Sequence, residues 1–207
     1  MSDNLAPAFT GFRTLSKAQI VSLAGADAVA FAQAQFANDV PSLADGHWQW
    51  SAWLTAKGRV LSIFQLLRVD AQTLLLICHD GGAEAMAEQL RRFVFRRKVV
   101  ISHASALAVN AALDVPAAAH GAQLAQLADA VIELDVGSAE VPRTLQISSV
   151  AAAVDDTAEL AWRQSDLRFG LPRLDDAQRE QWTPQQLGLD RLNAYSVKKG
   201  CYPGQEI

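Results

Sequence analysis

Between residues 47 and 52 polar and apolar positions alternate, with Trp48, Trp50 and Ala52 set against His47, Gln49 and Ser51. That period of two predicts a half-buried strand. Ala56-Lys57-Gly58-Arg59 follows as a hairpin turn, and 60–69 reads as the returning strand. The run Leu74-Leu75-Leu76-Ile77-Cys78 is a fully buried strand, closed by Asp80-Gly81-Gly82. Residues 83–95 change period: Met86, Leu90 and Phe93 fall on one helical face. Residues 98–103 return to a strand. Residues 48–110 therefore give β-β-β-α-β, an α+β pattern of ferredoxin-like kind.

The flanks are read in the same way. Residues 18–23 form a short strand, and Asp27 is a candidate N-cap for a helix over 28–38. Strands are expected at 107–113 and 144–150, and a helix at 121–130. A helix over 158–169 is stopped by Gly170 with Pro172 beyond it. Thr183-Pro184-Gln185-Gln186 has the form of a helix start, and Leu187, Leu189 and Leu192 are placed to pack beneath the loop at 199–206.

Composition narrows the class. The chain has 207 residues, a net charge of −4 and 50% hydrophobic residues. That is room for one large or two small domains with a sizeable core, in a soluble globular protein. No apolar run approaches the ~20 residues of a membrane span, and no secretory pattern opens the chain. Two cysteines make no disulfide framework and fit a reducing cytoplasm. The mildly acidic balance argues against direct nucleic-acid binding. No Cys/His cluster has metal-ligand spacing.

The densest chemistry lies at 199–206, Lys-Gly-Cys-Tyr-Pro-Gly-Gln-Glu. Cys201 stands beside Lys198 and Lys199, cations that favour the reactive thiolate. Glycines on either side allow positive φ or a close approach to a ligand. The bland alternatives are an inert surface turn or a buried small hydrophobe at Cys201. Cys78, at the end of an apolar run, reads as a core thiol.

This octapeptide resembles the K-G-C-[FY]-x-G-Q-E hallmark of the YgfZ-type folate-binding proteins, in the superfamily of the glycine-cleavage T-protein. The likeness extends over nearly the whole chain. Gln35-Phe36-Ala37-Asn38-Asp39-Val40 is similar to a Q-x-[ST]-x-D-V region, with Ala37 lacking the hydroxyl. Ala56-Lys57-Gly58-Arg59 is similar to the family's [PA]-K-G-[RK] hairpin, Gly170-Leu171-Pro172 to its G-[FIL]-P stretch, and 184–190 to the P-Q-x-x-x-L-D approach. The resemblance implies a T-protein-like aminomethyltransferase fold, α+β, with an inserted ferredoxin-like subdomain. It implies a discontinuous folate-binding domain over 1–45 and 143–207, a ferredoxin-like domain over 46–142, and a C-terminal barrel domain absent from this chain.

The same resemblance implies tetrahydrofolate as cofactor and Cys201 as the catalytic group. The implied folate contacts are Trp162, Lys199, Gly200, Tyr202, Gln205, Glu206, Asp39 and Lys57. Each has a plainer alternative. Trp162 offers a flat face for a pterin or is an ordinary core tryptophan. Lys57 attracts folate carboxylates or is a solvated turn cation. Asp39 contacts ligand or caps local backbone, and Lys199 and Glu206 contact ligand or are solvated charges. Gln205 has the donor and acceptor to read a pterin edge.

The implied function is a folate-binding accessory protein for iron–sulfur cluster assembly or repair and tRNA modification, with iron–sulfur enzymes or assembly proteins as partners and no membrane. The alternative is a tetrahydrofolate-dependent aminomethyltransferase; a domain of a folate-linked demethylating oxidase is a weaker third reading. A transferase of the T-protein kind requires an acid in the strand after the hairpin glycine. Here Gly58-Arg59-Val60-Leu61-Ser62-Ile63-Phe64 has none before Asp70. That favours an accessory role over enzymatic transfer.

Overall fold

The computed structural model describes residues 9–205. They form two compact units, one of the residues up to Ala18 with Ser105–Pro172, the other of Gln19–Ala104 with the residues from Arg173 onward. Among the described residues the fold is mixed α and β, with two antiparallel five-stranded sheets and three α-helices.

In the first unit, strands β1 (Arg13–Thr14), β7 (Ala108–Ala112), β8 (Ala125–Gln126), β9 (Ile132–Asp135) and β10 (Thr144–Ser148) pair in the order β1-β7-β10-β9-β8. Helix α3 (Asp156–Arg168) starts where Asp155 accepts hydrogen bonds from the N–H groups of Thr157 and Ala158. It stops as its sequence requires. Gly170 takes φ +61°, its N–H bonds to Leu167 O (3.2 Å), and Leu171 N bonds to Asp166 O (3.0 Å), which is a Schellman ending. Beneath α3 the Arg143 guanidinium donates to Asp166 Oδ1 at 2.5 Å. It also lies over the Trp162 ring at 3.9 Å and the Phe169 ring at 4.9 Å. All but Phe169 are buried.

In the second unit, β2 (Gln19–Ala24) runs into α1 (Ala28–Gln35). Then come β3 (His47–Leu54), β4 (Val60–Asp70), β5 (Thr73–Cys78), α2 (Ala83–Arg91) and β6 (Val100–His103). The sheet order is β3-β4-β5-β2-β6. Without β3 this is the β-α-β-β-α-β order of a ferredoxin-like sheet, and β3 is an added edge strand on β4. Both helices cover one face, where Phe31, Phe36, Met86 and Leu90 meet Leu23, Phe64, Leu66 and Leu76. On the other face Ala52, Leu54, Val60 and Ile63 pack against Leu174, Leu189, Ala194 and Tyr202 from the last segment. The half-buried character expected for β3 therefore holds only for its first four residues, and these do not alternate in burial. Ser51 to Leu54 are buried on both faces.

The division differs from the expected 1–45 plus 143–207 and 46–142. Strand pairing is the reason. β2 is hydrogen-bonded between β5 and β6, so the early strand and α1 complete the ferredoxin-like sheet. β7 and β9 pair with β10, so residues from 105 onward belong with 144–172. The helix expected at 121–130 is instead strand β8 and a short 3₁₀ turn, because Asp129 and Ala130 take φ +57° and +58°. The helix expected at 28–38 ends at Gln35, where Phe36 turns extended and bridges to Trp53. Asp27 precedes α1, but its Oδ2 accepts from Lys98 N–H at 2.6 Å instead of capping the helix. No helix among the described residues is long and apolar enough to cross a membrane.

Removing one partner of the Arg143–Asp166 pair leaves a buried charge uncompensated. Asp166→Ala is expected to cost about 3–5 kcal/mol in urea unfolding. The double variant with Arg143→Met is expected to recover a large part of that loss.

Candidate functional site

The segment from Arg173 to Gln205 is laid on the second unit's sheet by a series of local ties. Asp80, in the turn after β5, accepts from Arg173 Nη1 (3.2 Å) and Leu174 N–H (3.0 Å), and its carbonyl accepts from Arg179 Nη2 (3.1 Å). Glu180 and Trp182 pair with Val60 across backbone hydrogen bonds of 2.9 and 2.8 Å. Thr183 and Gln186 then satisfy each other: Thr183 N–H donates to Gln186 Oε1 (2.9 Å), and Gln186 N–H to Thr183 Oγ1 (3.2 Å). This is the reciprocal arrangement of a capping box. The chain continues from it as successive turns through Leu189, which is buried, rather than as the expected helix.

The motif loop is held at two points. Lys199 turns inward, and its ammonium donates to Gln33 O at 2.7 Å and to Phe36 O. These carbonyls lie at the C-terminal end of α1, which has no basic residue of its own in its last turn. A cation there satisfies acceptors the helix leaves open and meets the negative end of its dipole. Gln33 completes the tie. Its amide donates to Asp39 Oδ1 (3.0 Å) and Lys199 O (3.2 Å), and its Oε1 accepts from Val40 N–H (2.9 Å). Burial pulls the Lys199 ammonium down to about 8, against the nearby Asp39 carboxylate, which favours its charge.

The second anchor is Tyr202, buried in the cluster of Ala37, Leu54, Ile63 and Leu189. Burial, and after it Tyr195, raises its phenol above the usual range. Lys199 Nζ sits 4.7 Å from the Tyr202 ring centroid, so the anchors also touch each other. Tyr202-Pro203-Gly204-Gln205 closes as a β-turn. Gln205 N–H donates to Tyr202 O (3.1 Å) and Gly204 has φ +82°, as a type II turn with Pro then Gly demands. A Cβ at Gly204 would run into Thr55 O and stand 2.9 Å from the Gly58 backbone. The motif turn is thus seated directly on the Thr55–Arg59 hairpin, backbone to backbone, with glycine on both sides.

Between these anchors Gly200, at φ +90° with open space around it, and Cys201 face outward. Cys201 is exposed and Cys78 is buried. Burial, partly offset by a hydrogen bond from Ser62, pushes the Cys78 thiol up to about 12. The structure therefore gives the two cysteines opposite surroundings. Lys57 is exposed at the hairpin tip, and the Gln205 amide reaches Val197 O only at 3.4 Å. Asp39 serves local structure through Gln33, Ser42 and Gln49. Trp162 lies in the other unit, 1% exposed, with Arg143 over its ring. Glu206 lies outside the described residues. Among the described residues no group of three or more His, Cys, Asp or Glu is placed to hold a metal ion.

Gln33 escaped the sequence reading. Its one legible signal is a polar side chain in the middle of an apolar helix, Ala-Val-Ala-Phe-Ala-Gln-Ala-Gln.

Gly204→Ala is expected to lift the turn off the hairpin, costing at least about 1 kcal/mol and changing the rate at which a maleimide labels Cys201. For Lys199, the folded protein binds fewer protons than the unfolded chain between pH 8 and the ordinary lysine range. Its contribution to stability therefore rises with pH through that window. Urea unfolding at pH 7.5 and pH 10 is expected to show a smaller alkaline gain for Lys199→Met than for the wild type.

No protein-family model matches the chain. Three proteins named tRNA-modifying protein YgfZ are similar to it over most of its length. The one from Colwellia psychrerythraea is 29% identical over 209 residues, covering 93% of this chain and 64% of its own length. That of Edwardsiella ictaluri is 27% identical, with 90% and 62% covered, and that of Aliivibrio fischeri 28%, with 99% and 67%. The chain thus spans roughly two thirds of the length of these relatives, and slightly less for the first two. Among solved structures, the glycine cleavage system aminomethyltransferase T from Bartonella henselae superposes with a TM-score of 0.68 at 17% identity, over 86% of this chain and 56% of that one. The chain is therefore similar in sequence to proteins named tRNA-modifying protein YgfZ, and its fold is that of the glycine-cleavage aminomethyltransferase.

Proposed function

We propose that this chain is the folate-related part of a protein that supports tRNA modification by assisting iron–sulfur cluster assembly or repair, with Cys201 as its reactive group. The observation that carries this reading is the way Cys201 is held. Lys199 and Tyr202, its near neighbours on either side, are both drawn inward, and the thiol between them is left in solvent. A loop that needed only to close a turn has no use for that arrangement.

The exposed residues of the loop and hairpin suit a folate in their chemistry. The Lys57 ammonium matches its carboxylates. The Gln205 amide, with donor and acceptor, matches a pterin edge, and open Gly200 lets a ligand approach the backbone. Lys199, Tyr202 and Asp39 act behind them as supports for the loop. Tetrahydrofolate, when bound, supplies a carrier for one-carbon units. The chain's own part is to orient it and to present the thiol. One thiol supplies one of the four ligands an iron–sulfur cluster takes. A partner iron–sulfur enzyme or assembly protein provides the rest.

Aminomethyl transfer is the second reading, favoured by the shared fold. Against it, β4 carries no carboxylate before Asp70 at its far end, so no acid follows the hairpin where transfer chemistry wants one.

In the full-length protein, Cys201→Ala is expected to abolish support of iron–sulfur enzyme activity while tetrahydrofolate affinity, followed by tryptophan fluorescence, stays within about twofold. Lys57→Ala is expected to weaken that affinity by about two- to fivefold, as for an exposed ion pair. Unimpaired support by Cys201→Ala overturns the proposal. Turnover in a glycine-cleavage assay transfers the reading to the aminomethyltransferase.

A further inference from the structure

Residues 91–98 read Arg-Arg-Phe-Val-Phe-Arg-Arg-Lys, and the function above makes no use of them. This stretch holds five of the chain's 18 lysines and arginines, and no carboxylate occurs between Glu88 and Asp114. It leaves the end of α2 as tight turns, with Phe93 N–H bonded to Leu90 O (2.9 Å), Val94 N–H to Arg91 O (3.2 Å) and Arg97 N–H to Val94 O (2.9 Å). Val94 points inward and packs on the helix-covered core. Its neighbours on either side are thereby turned out, Phe93 at 42% exposure and Phe95 at 87%.

Phe95 is the unusual residue. It sits at φ +46°, a left-handed conformation that costs a bulky side chain energy. Its exposed ring recovers almost none of that cost by burial. Arg92, Arg96, Arg97 and Lys98, which flank the two phenylalanines in the chain, are exposed as well. Among the described residues the guanidinium groups of Arg92, Arg96 and Arg97 make no hydrogen bond or ion pair. Arg91 is different: its Nε donates to Ile101 O at 2.8 Å and its Nη1 lies 3.8 Å from Glu84.

We infer that residues 92–98 are a docking site for single-stranded nucleic acid. Exposed aromatic faces among unpaired cations are what such a strand requires: bases stack on the rings while the cations track the phosphates. Arginine outnumbers lysine here, and its planar fork both grips phosphate and stacks on bases. A lipid surface fits less well. Interfacial helices present a continuous apolar face, whereas the apolar residues of α2 (Ala83, Met86, Ala87 and Leu90) are buried in the core. The chain's overall charge of −4 conceals this local concentration of cations. The inference does not rest on the folate or cysteine reading.

The test is fluorescence anisotropy with a labelled oligouridylate of about 12 nucleotides against the full chain at low and moderate salt. Binding is expected to weaken as salt rises, with a logarithmic slope of about −2 to −3 for three or four phosphates neutralised. Phe95→Gly is expected to weaken it roughly tenfold without lowering the thermal midpoint, because glycine accepts the left-handed backbone freely. That pairing separates a docking role from a folding role. Arg96→Glu with Arg97→Glu is expected to abolish binding, whereas reversing the exposed Lys17 to Glu leaves it unchanged. The inference is overturned by no binding at low salt, or by binding that survives both the Phe95 and the arginine changes. It is equally overturned if the chain binds phosphatidylserine vesicles but not the oligonucleotide.

Discussion

The C-terminal end of α1 has carbonyl groups that the helix cannot satisfy for itself, and its last turn holds no basic residue. Lys199 reaches them from 166 and 163 residues away in the sequence. Much of the motif loop's shape follows from that requirement. The ammonium must point inward, so Gly200 and Cys201 pass outside it, and the chain must re-enter at Tyr202. Gln33 makes the tie reciprocal by returning a hydrogen bond to the Lys199 carbonyl. The partial loss of proton affinity at Lys199 is the electrostatic cost of placing an ammonium there.

The glycines of the motif have separate duties. Gly204 is there because the turn meets the hairpin with no room for a side chain. Gly200 takes a left-handed backbone in open space, so its role is conformational, and it leaves the approach to Cys201 clear. Gly58 faces Gly204 from the hairpin side. The two motifs, far apart in the chain, are therefore one structural feature, and their joint presence in the sequence has a steric explanation.

Several elements were legible because their cause is local. The 60–70 strand, the buried 73–78 strand and the α3 stop at Gly170 depend on periodicity and backbone chemistry within a few residues. The misreadings arose where a distant partner decides. Residues 28–38 carry helical periodicity throughout, yet Phe36 is drawn out of the helix by its bridge to Trp53. The 121–130 stretch has helix-forming composition, but it lies along the edge of a sheet and pairs with β9. The domain boundary was misplaced for the same reason, since nothing in residues 19–24 announces that they will lie between β5 and β6.

By itself the sequence determined the α+β class, most strand and helix positions, the separation of Cys78 as an apolar-run thiol from Cys201 as a loop thiol, and the motif that carries the family resemblance. These follow from hydrophobic period, glycine and proline placement, and residue chemistry, all of which act over short distances. Only the tertiary structure decided the inward turn of Lys199, the seat of Gly204 on the hairpin, the burial of Trp162 against Arg143, and the exposure of Phe95. Each depends on which surfaces meet after the chain has folded. Side-chain direction is set by packing between segments that local sequence cannot bring together.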